Sequence, residues 1–132
     1  MAYWLMKSEP ESYSWDDLVR DGSTEWDGVR NPQAAINLRA MAVGDRAFFY
    51  HSGDEKAAVG IMEVSRTARP DGPDGKWSSV AVKPVEPLAK PVTLKAMKAD
   101  PALAEMKMIR QSRLSVSPVS EAEWAAILAL AR

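Results

Sequence analysis

Four short strings set aromatic rings beside amides, hydroxyls and charges, a mixture that a packed core does not require. They are Lys7-Ser8-Glu9-Pro10, Trp26-Asp27-Gly28-Val29-Arg30-Asn31, Phe48-Phe49-Tyr50-His51-Ser52 and Arg110-Gln111-Ser112-Arg113-Leu114-Ser115-Val116. Together they supply the parts of a pocket that holds a flat ring against aromatic faces and reads its edge by hydrogen bonds. Trp26 precedes a helix start, where a ring can be offered to a ligand, and Gly28 lets the backbone approach that ligand closely. The free amides at the Asn31 helix start suit a phosphate or a base oxygen. Ser8 and Glu9 follow a buried strand and form an acceptor and donor set. A glutamate accepts from an exocyclic amine, the contact that reads cytosine or adenine. Lys107, Arg110 and Arg113 make a local basic cluster suited to phosphates, which position a strand without reading it.

Each of these residues also has a plainer reading. Tryptophan is ordinarily core, Lys7 and Glu9 could be a solvated pair, and the basic cluster could be a solvated edge. Asp27, Gly28 and Asn31 could do no more than shape a turn and a cap. His51, with Ser8 or Ser52 and Glu9, has the residue types of a hydrolase triad. No Gly-x-Ser-x-Gly elbow supports that chemistry. There is no phosphate-binding glycine loop and no paired-metal carboxylate motif. The residues therefore read as a binding module with no catalytic residue. A nucleotide-acting hydrolase and a general RNA- or protein-interaction module are the rival classes.

These strings must be positioned by short elements. Tyr3 to Met6 is apolar on both faces, which predicts a strand over residues 2 to 7 covered on both sides. Ser14 predicts a helix N-cap, and Gly22 its end. Asn31-Pro32 starts a second helix with Ala34, Leu38 and Met41 inward. Gly44-Asp45 turns into a strand over Arg46 to His51, and the next covers Ala57 to Ser65. Arg69 to Gly75 reads as a turn. Val80 and Val82 mark a half-buried strand, and Pro84, Pro87 and Pro91 make the following stretch irregular or an edge. Thr93 to Ala99 reads as a helical turn or two. Asp100-Pro101 restarts a helix with Leu103 and Met106 inward, and Leu114 and Val116 fall in a late strand. Ser120 and Glu123 form a capping box before a last helix striped by Trp124, Ile127, Leu128 and Ala131. About six strands with helices packed around them predict an α+β fold whose sheet curls into a barrel.

The chain of 132 residues, read as one domain over 1–132, is 46% hydrophobic and 27% charged, the composition of a globular protein with a proper core. Its net charge of -1 excludes a general electrostatic attraction to nucleic acid, so such binding needs a local patch or pocket. There is no cysteine, and His51 is the one histidine, which leaves no thiolate or histidine-rich metal site and no disulfide. No cofactor is expected. No apolar run approaches the ~20 residues of a membrane span, and the first residues lack a signal-peptide pattern. A cytoplasmic monomer is the expected setting.

The four strings, in this order and spacing, resemble the EVE domain family over essentially the whole chain. Trp4 to Pro10 looks like the family's opening signature. Trp26 to Asn31, with Gln33-Ala34 and Asn37-Leu38-Arg39, looks like the second block. Val43-Gly44-Asp45 to Ser52 looks like the third. Arg110 to Val116, with Pro118-Val119 and Trp124, looks like the last. The resemblance implies a PUA-like fold, a small curled β-barrel. It also implies a nucleic-acid partner with a modified or flipped-out base, such as 5-methylcytosine. Carried over by position, it implies ligand contacts from Lys7, Ser8, Glu9, Trp26, Val29, Arg30, Asn31, Tyr50, His51, Ser52, Leu114 and Ser115. Pro32, Ala35 and Ile36 depart from the family pattern, where an aromatic, an arginine and an asparagine are frequent. A stacking or phosphate contact would be missing there.

Overall fold

The computed structural model describes residues 1–132. The chain runs β1 (Tyr3–Ser8), α1 (Trp15–Asp21), β2 (Thr24–Trp26), α2 (Pro32–Ala40), β3 (Arg46–His51), β4 (Ala57–Asp71) and β5 (Trp77–Thr93). Then follow α3 (Leu94–Ala99), a single 3₁₀ turn (Pro101–Leu103), α4 (Lys107–Arg110), β6 (Val116–Val119) and α5 (Glu121–Leu130). The six strands form one sheet in the order β2-β5-β4-β3-β1-β6. Only β1 and β3 pair in parallel; the other neighbours are antiparallel. The fold is α+β, as expected. The hydrogen-bonded ladder leaves β2 and β6 as edges, so the sheet is mixed and not closed by hydrogen bonds. No helix is long and apolar enough to cross a membrane.

Strand alternation explains why the sheet reads as apolar on both faces. Trp4, Met6 and Phe49 point to one side, with Trp15, Leu18, Trp26, Leu38 and Val82. Leu5, Phe48 and Tyr50 point to the other, with Met97, Leu103, Met106, Trp124 and Ile127. The first face is closed by α1 and α2, the second by α3 and α5. Local chemistry fixes the helix ends. Ser14 and Asp17 exchange a capping box at α1, and Gly22 ends it at φ 77°. Asn31 caps α2, with Pro32 in its first turn, and Ser120 with Glu123 caps α5.

Gly60 is the one glycine demanded by close packing. A Cβ there would sit 2.5 Å from Cε3 of Trp15, whose ring lies flat against the strand. Trp15 meets Phe49 edge-on at 5.8 Å between centroids. Buried Asp45 ties the start of the chain to the sheet. Its carboxylate accepts from Trp4 Nε1 (3.1 Å) and from the amides of Ala2 (3.1 Å) and Ala42 (3.0 Å). Burial alone would raise its pKa, but these hydrogen bonds prevail and hold it below the ordinary value.

Several expectations change. β4 reaches Asp71 rather than Ser65, because β5 pairs with it through Asp71↔Trp77; the turn shrinks accordingly. The proline-rich stretch lies inside β5. There β4 is the only hydrogen-bonded neighbour, since β2 pairs with Val80, Ala81 and Val82 alone, so Pro84 and Pro87 sit on an edge where no second strand needs their missing amides. Register shifts at Ala58/Gly60 and Ile61/Met62 absorb the irregularity. Asp100-Pro101 gives one 3₁₀ turn, although Leu103 and Met106 are fully buried. Leu114 is buried in the loop before β6, outside any strand.

Candidate functional site

A cavity of about 840 Å³ opens beside the ends of β1 and β2. That volume lies within the range of small-molecule and base pockets. Lys7 and Ser8 line it from β1; Glu25 and Trp26 from β2. Gly28, Val29, Arg30 and Asn31 come from the loop into α2, and Ser115 from the loop before β6. Seven residues expected at the site therefore converge here: Lys7, Ser8, Trp26, Val29, Arg30, Asn31 and Ser115.

Trp26 is in a strand rather than a free loop. It pairs with Val80, is 8% exposed and meets Phe49 edge-on at 5.4 Å. The ring is seated in the core, as its plainer reading has it, and its remaining surface belongs to the cavity wall. Beyond it the chain turns at Gly28, whose φ of 76° favours glycine. The Gly28 amide donates to Asp71 Oδ2 at 3.0 Å, and Arg30 Nη1 donates to the same oxygen at 3.0 Å. Asp71 thus fastens the tip of the β4–β5 hairpin to the cavity rim. These two bonds, the amide first, hold the Asp71 carboxyl below its usual range.

The polar groups are mostly fixed by neighbours. Ser8 Oγ donates to the Tyr13 carbonyl at 2.6 Å, which leaves its lone pairs as acceptors. Asn31 Oδ1 accepts from the Ala34 amide at 2.9 Å, so its NH₂ is the group left to face a ligand. Lys7 Nζ donates to the Ser112 carbonyl at 2.9 Å and lies 5.8 Å from the centre of the Tyr50 ring. Burial lowers the Lys7 pKa. The backbone of Lys7 donates to the Ser115 carbonyl at 2.9 Å, joining the first and last strings.

Glu25 lines the cavity but is engaged elsewhere. Arg66 grips its carboxylate through two bonds, 2.7 and 2.6 Å, Arg69 approaches at 3.3 Å, and Ser79 Oγ also donates to it. The Arg66 bonds lead in pulling its pKa down to about 2. It is a fixed anion, unsuited to proton transfer near neutral pH.

The other expected residues separate from this cavity. Tyr50 and Ser52 line a second cavity of about 390 Å³, which shares Lys7 with the first. Tyr50 therefore faces away from the ring of Trp26, because alternation along β3 sends Phe49 and Tyr50 to opposite sides of the sheet. His51 has both ring nitrogens occupied: Nε2 accepts from the Trp15 amide at 3.1 Å, and Nδ1 bonds Glu55 at 2.8 Å. That pairing makes it a link between α1 and the sheet. Glu9 is exposed and lines neither cavity. Arg110, Arg113 and Leu114 border a shallow cleft with Asn31, adjoining the first cavity through that residue, and Lys107 lies one cleft further on.

Sequence reasoning missed Ser12, Tyr13, Thr24, Glu25 and Asp71. The polar run Thr24-Glu25 beside Trp26 was a usable signal. Tyr13 and Asp71 carried none, since only the fold brings residues 13 and 71 to the rim.

The family model for the EVE domain matches residues 2–130. Mouse thymocyte nuclear protein 1 is 35% identical over 97% of this chain and 73% of its own length. A protein from Rhodopseudomonas palustris solved by NMR superposes with a TM-score of 0.94 at 47% identity, covering 99% of this chain and 93% of the other. Human THYN1, crystallised in complex with 5-methylcytosine-containing DNA, superposes with a TM-score of 0.93 at 33% identity, over 100% of this chain and 98% of its own.

Proposed function

The chain belongs to the EVE domain family, and on that premise we propose that it is a nucleic-acid-binding reader that captures a modified base, 5-methylcytosine or a close relative, in the 840 Å³ cavity. The observation that carries this reading is the pairing of two facts. The cavity that holds Trp26 is built from the first, second and last of the strings that carry the resemblance, and a 33% identical relative of the same fold was crystallised in complex with 5-methylcytosine-containing DNA. The exposed surface of Trp26 stacks on the base, a contact worth about 1–3 kcal/mol. Asn31 donates to its edge, and Ser8 accepts from it. Arg110 and Arg113, in the cleft that adjoins at Asn31, hold the backbone.

The base must leave its stack to enter, which costs a few kcal/mol and favours modified or unpaired positions. Binding rather than turnover is supported by the state of the candidate groups: both His51 nitrogens are paired and Glu25 is held ionised by Arg66. One domain spans 1–132, with both hydrophobic clusters sharing a single sheet, and it works as a monomer. The PUA-like curl of the family is supported here by the bulged β4–β5 ladder.

The test is direct binding to matched single- and double-stranded DNA and RNA, unmodified or carrying 5-methylcytosine, 5-hydroxymethylcytosine or N6-methyladenine. The expected result is a preference for one modified base that is lost on substitution of Trp26. Equal affinity for all of them would sink the reading.

A further inference from the structure

The second cavity has a chemistry of its own. Lys7, Lys56 and Lys98 line it, and no carboxylate does. None of these lysines takes part in an ion pair. Glu55, next to Lys56 in sequence, is engaged by His51. Tyr50 also lines the cavity. It is 2% exposed, and no protein group hydrogen-bonds its hydroxyl. That hydroxyl is not among the atoms sealed away from solvent, so it is open to a ligand in the cavity. Burial pushes its pKa up to about 12, so it stays a donor at any physiological pH. Ser52 and Ser112 add two further hydroxyls to the wall. Lys56 is held at φ 49°, the one non-glycine residue with a positive φ, so the fold keeps a lysine where glycine or asparagine is easier.

Three lysines outside any ion pair and a phenol donor, with no anion among them, describe a receptor for a compact multivalent anion. We propose that this cavity is a phosphoryl subsite, contiguous with the base cavity across Lys7, and that it takes a phosphate of the nucleotide whose base is captured. The proposal rests on the base-capture reading for the source of the phosphate, but not for the anion chemistry itself. Lys7 is the joint. It lines both cavities, and its Nζ is held by the Ser112 carbonyl.

The experiment uses the full chain, with Lys56→Gln/Lys98→Gln and Tyr50→Phe as variants; none of these three residues lines the base cavity. Inorganic phosphate is titrated first, following the amide signals of Ser52, Gly53 and Ser112. 5-Methyl-2′-deoxycytidine and its 5′- and 3′-monophosphates are titrated next. Phosphate should shift those amides in the wild type. In the wild type one monophosphate should bind about tenfold tighter than the nucleoside, the scale of a hydrogen-bonded charge. The double lysine variant should lose that gain while binding the nucleoside unchanged, and Tyr50→Phe should lose part of it. A wild type whose amides ignore phosphate, or a gain that survives in the lysine variant, overturns the subsite. Phosphate binding that the lysine variant loses, without any nucleoside binding, supports the subsite and sinks the base reading instead. Phosphate binding without a nucleotide gain, where the nucleoside does bind, overturns the link to the base and assigns the phosphoryl group to a separate small molecule.

Discussion

The two cavities that meet at Lys7 flank the same end of β1, yet they are built on opposite principles. The larger one balances its charges, Lys7 and Arg30 against Glu25 and Asp27, and its wall includes the small part of Trp26 that the core does not cover. The smaller one carries three lysines and no acid. A balanced aromatic wall gains affinity from fit and stacking and discriminates by hydrogen bonds; an unbalanced cationic wall gains affinity from charge and is screened by salt. The cost of construction differs too. The first cavity is inseparable from the hydrophobic core through Trp26, Phe49 and Trp15. The second also rests on core residues, Tyr50 and Met108, but Lys56 and Lys98 in its wall are exposed. Truncation of Trp26 should therefore register in stability and affinity together, and loss of the Lys56 and Lys98 charges in affinity alone.

The largest expected effect tests that coupling. Trp26→Ala should lose ~3–5 kcal/mol of stability, as truncation of a buried aromatic does, along with the stacking contribution to base binding. Trp26→Phe, which keeps a ring on Phe49, should stay folded and retain part of the affinity. Thermal melts beside oligonucleotide titrations decide this; a folded Trp26 variant with full affinity breaks the comparison. Gly60→Ala comes next. Its new methyl group would press into the Trp15 ring, costing ~1–3 kcal/mol by overpacking. A calorimetric melting temperature unchanged from the wild type would show that Trp15 moves freely.

Smaller effects separate the cavities more finely. Asp71→Asn keeps the shape of the hairpin tip but weakens its hold on the Gly28 amide and Arg30. A severalfold loss of base affinity is expected, with phosphate binding at the second cavity unaltered. Glu25 supplies a pH test. Its pKa falls from 4.5 to about 2 on folding, led by the Arg66 bonds. A depressed carboxyl contributes stability that is complete above pH 4.5 and is lost as the pH drops towards 2. Glu25→Gln should be less stable than the wild type at neutral pH, and the gap should close on acidification; a gap constant with pH removes the ion pair as its cause. The least effect is expected from Arg113→Ala, exposed in the outer cleft. Its mark should be a salt slope for oligonucleotide binding shallower by about 0.7–0.9, one phosphate contact, with base preference intact. An unaltered slope places the backbone elsewhere.

Much of this was legible in the chain itself, because local chemistry leaves local marks. The caps at Ser14, Asn31 and Ser120, the stop at Gly22, the doubly apolar β1 and the inward stripes of α2 and α5 depend on neighbours within a turn or two, and all stand where the sequence put them. Three of the four polar-aromatic strings also share a region, since seven of their residues converge on one cavity.

Tertiary structure alone decided the rest. Three-residue β2 exists because Val80–Val82 offers it a partner, not because Thr24-Glu25-Trp26 has strand character enough to stand alone. The prolines of β5 are tolerated because no second strand reaches them. The string Phe49-Tyr50-His51 was split by strand alternation, one ring to each face, and a histidine with the types of a catalyst became a hydrogen-bonded tie. Sequence determines which groups a segment carries and how it prefers to bend. Which groups meet across 40 or more residues, as Asp71 meets Gly28 and Arg66 meets Glu25, depends on sheet register. Register is settled by the burial of two hydrophobic faces at once, a property of the whole molecule.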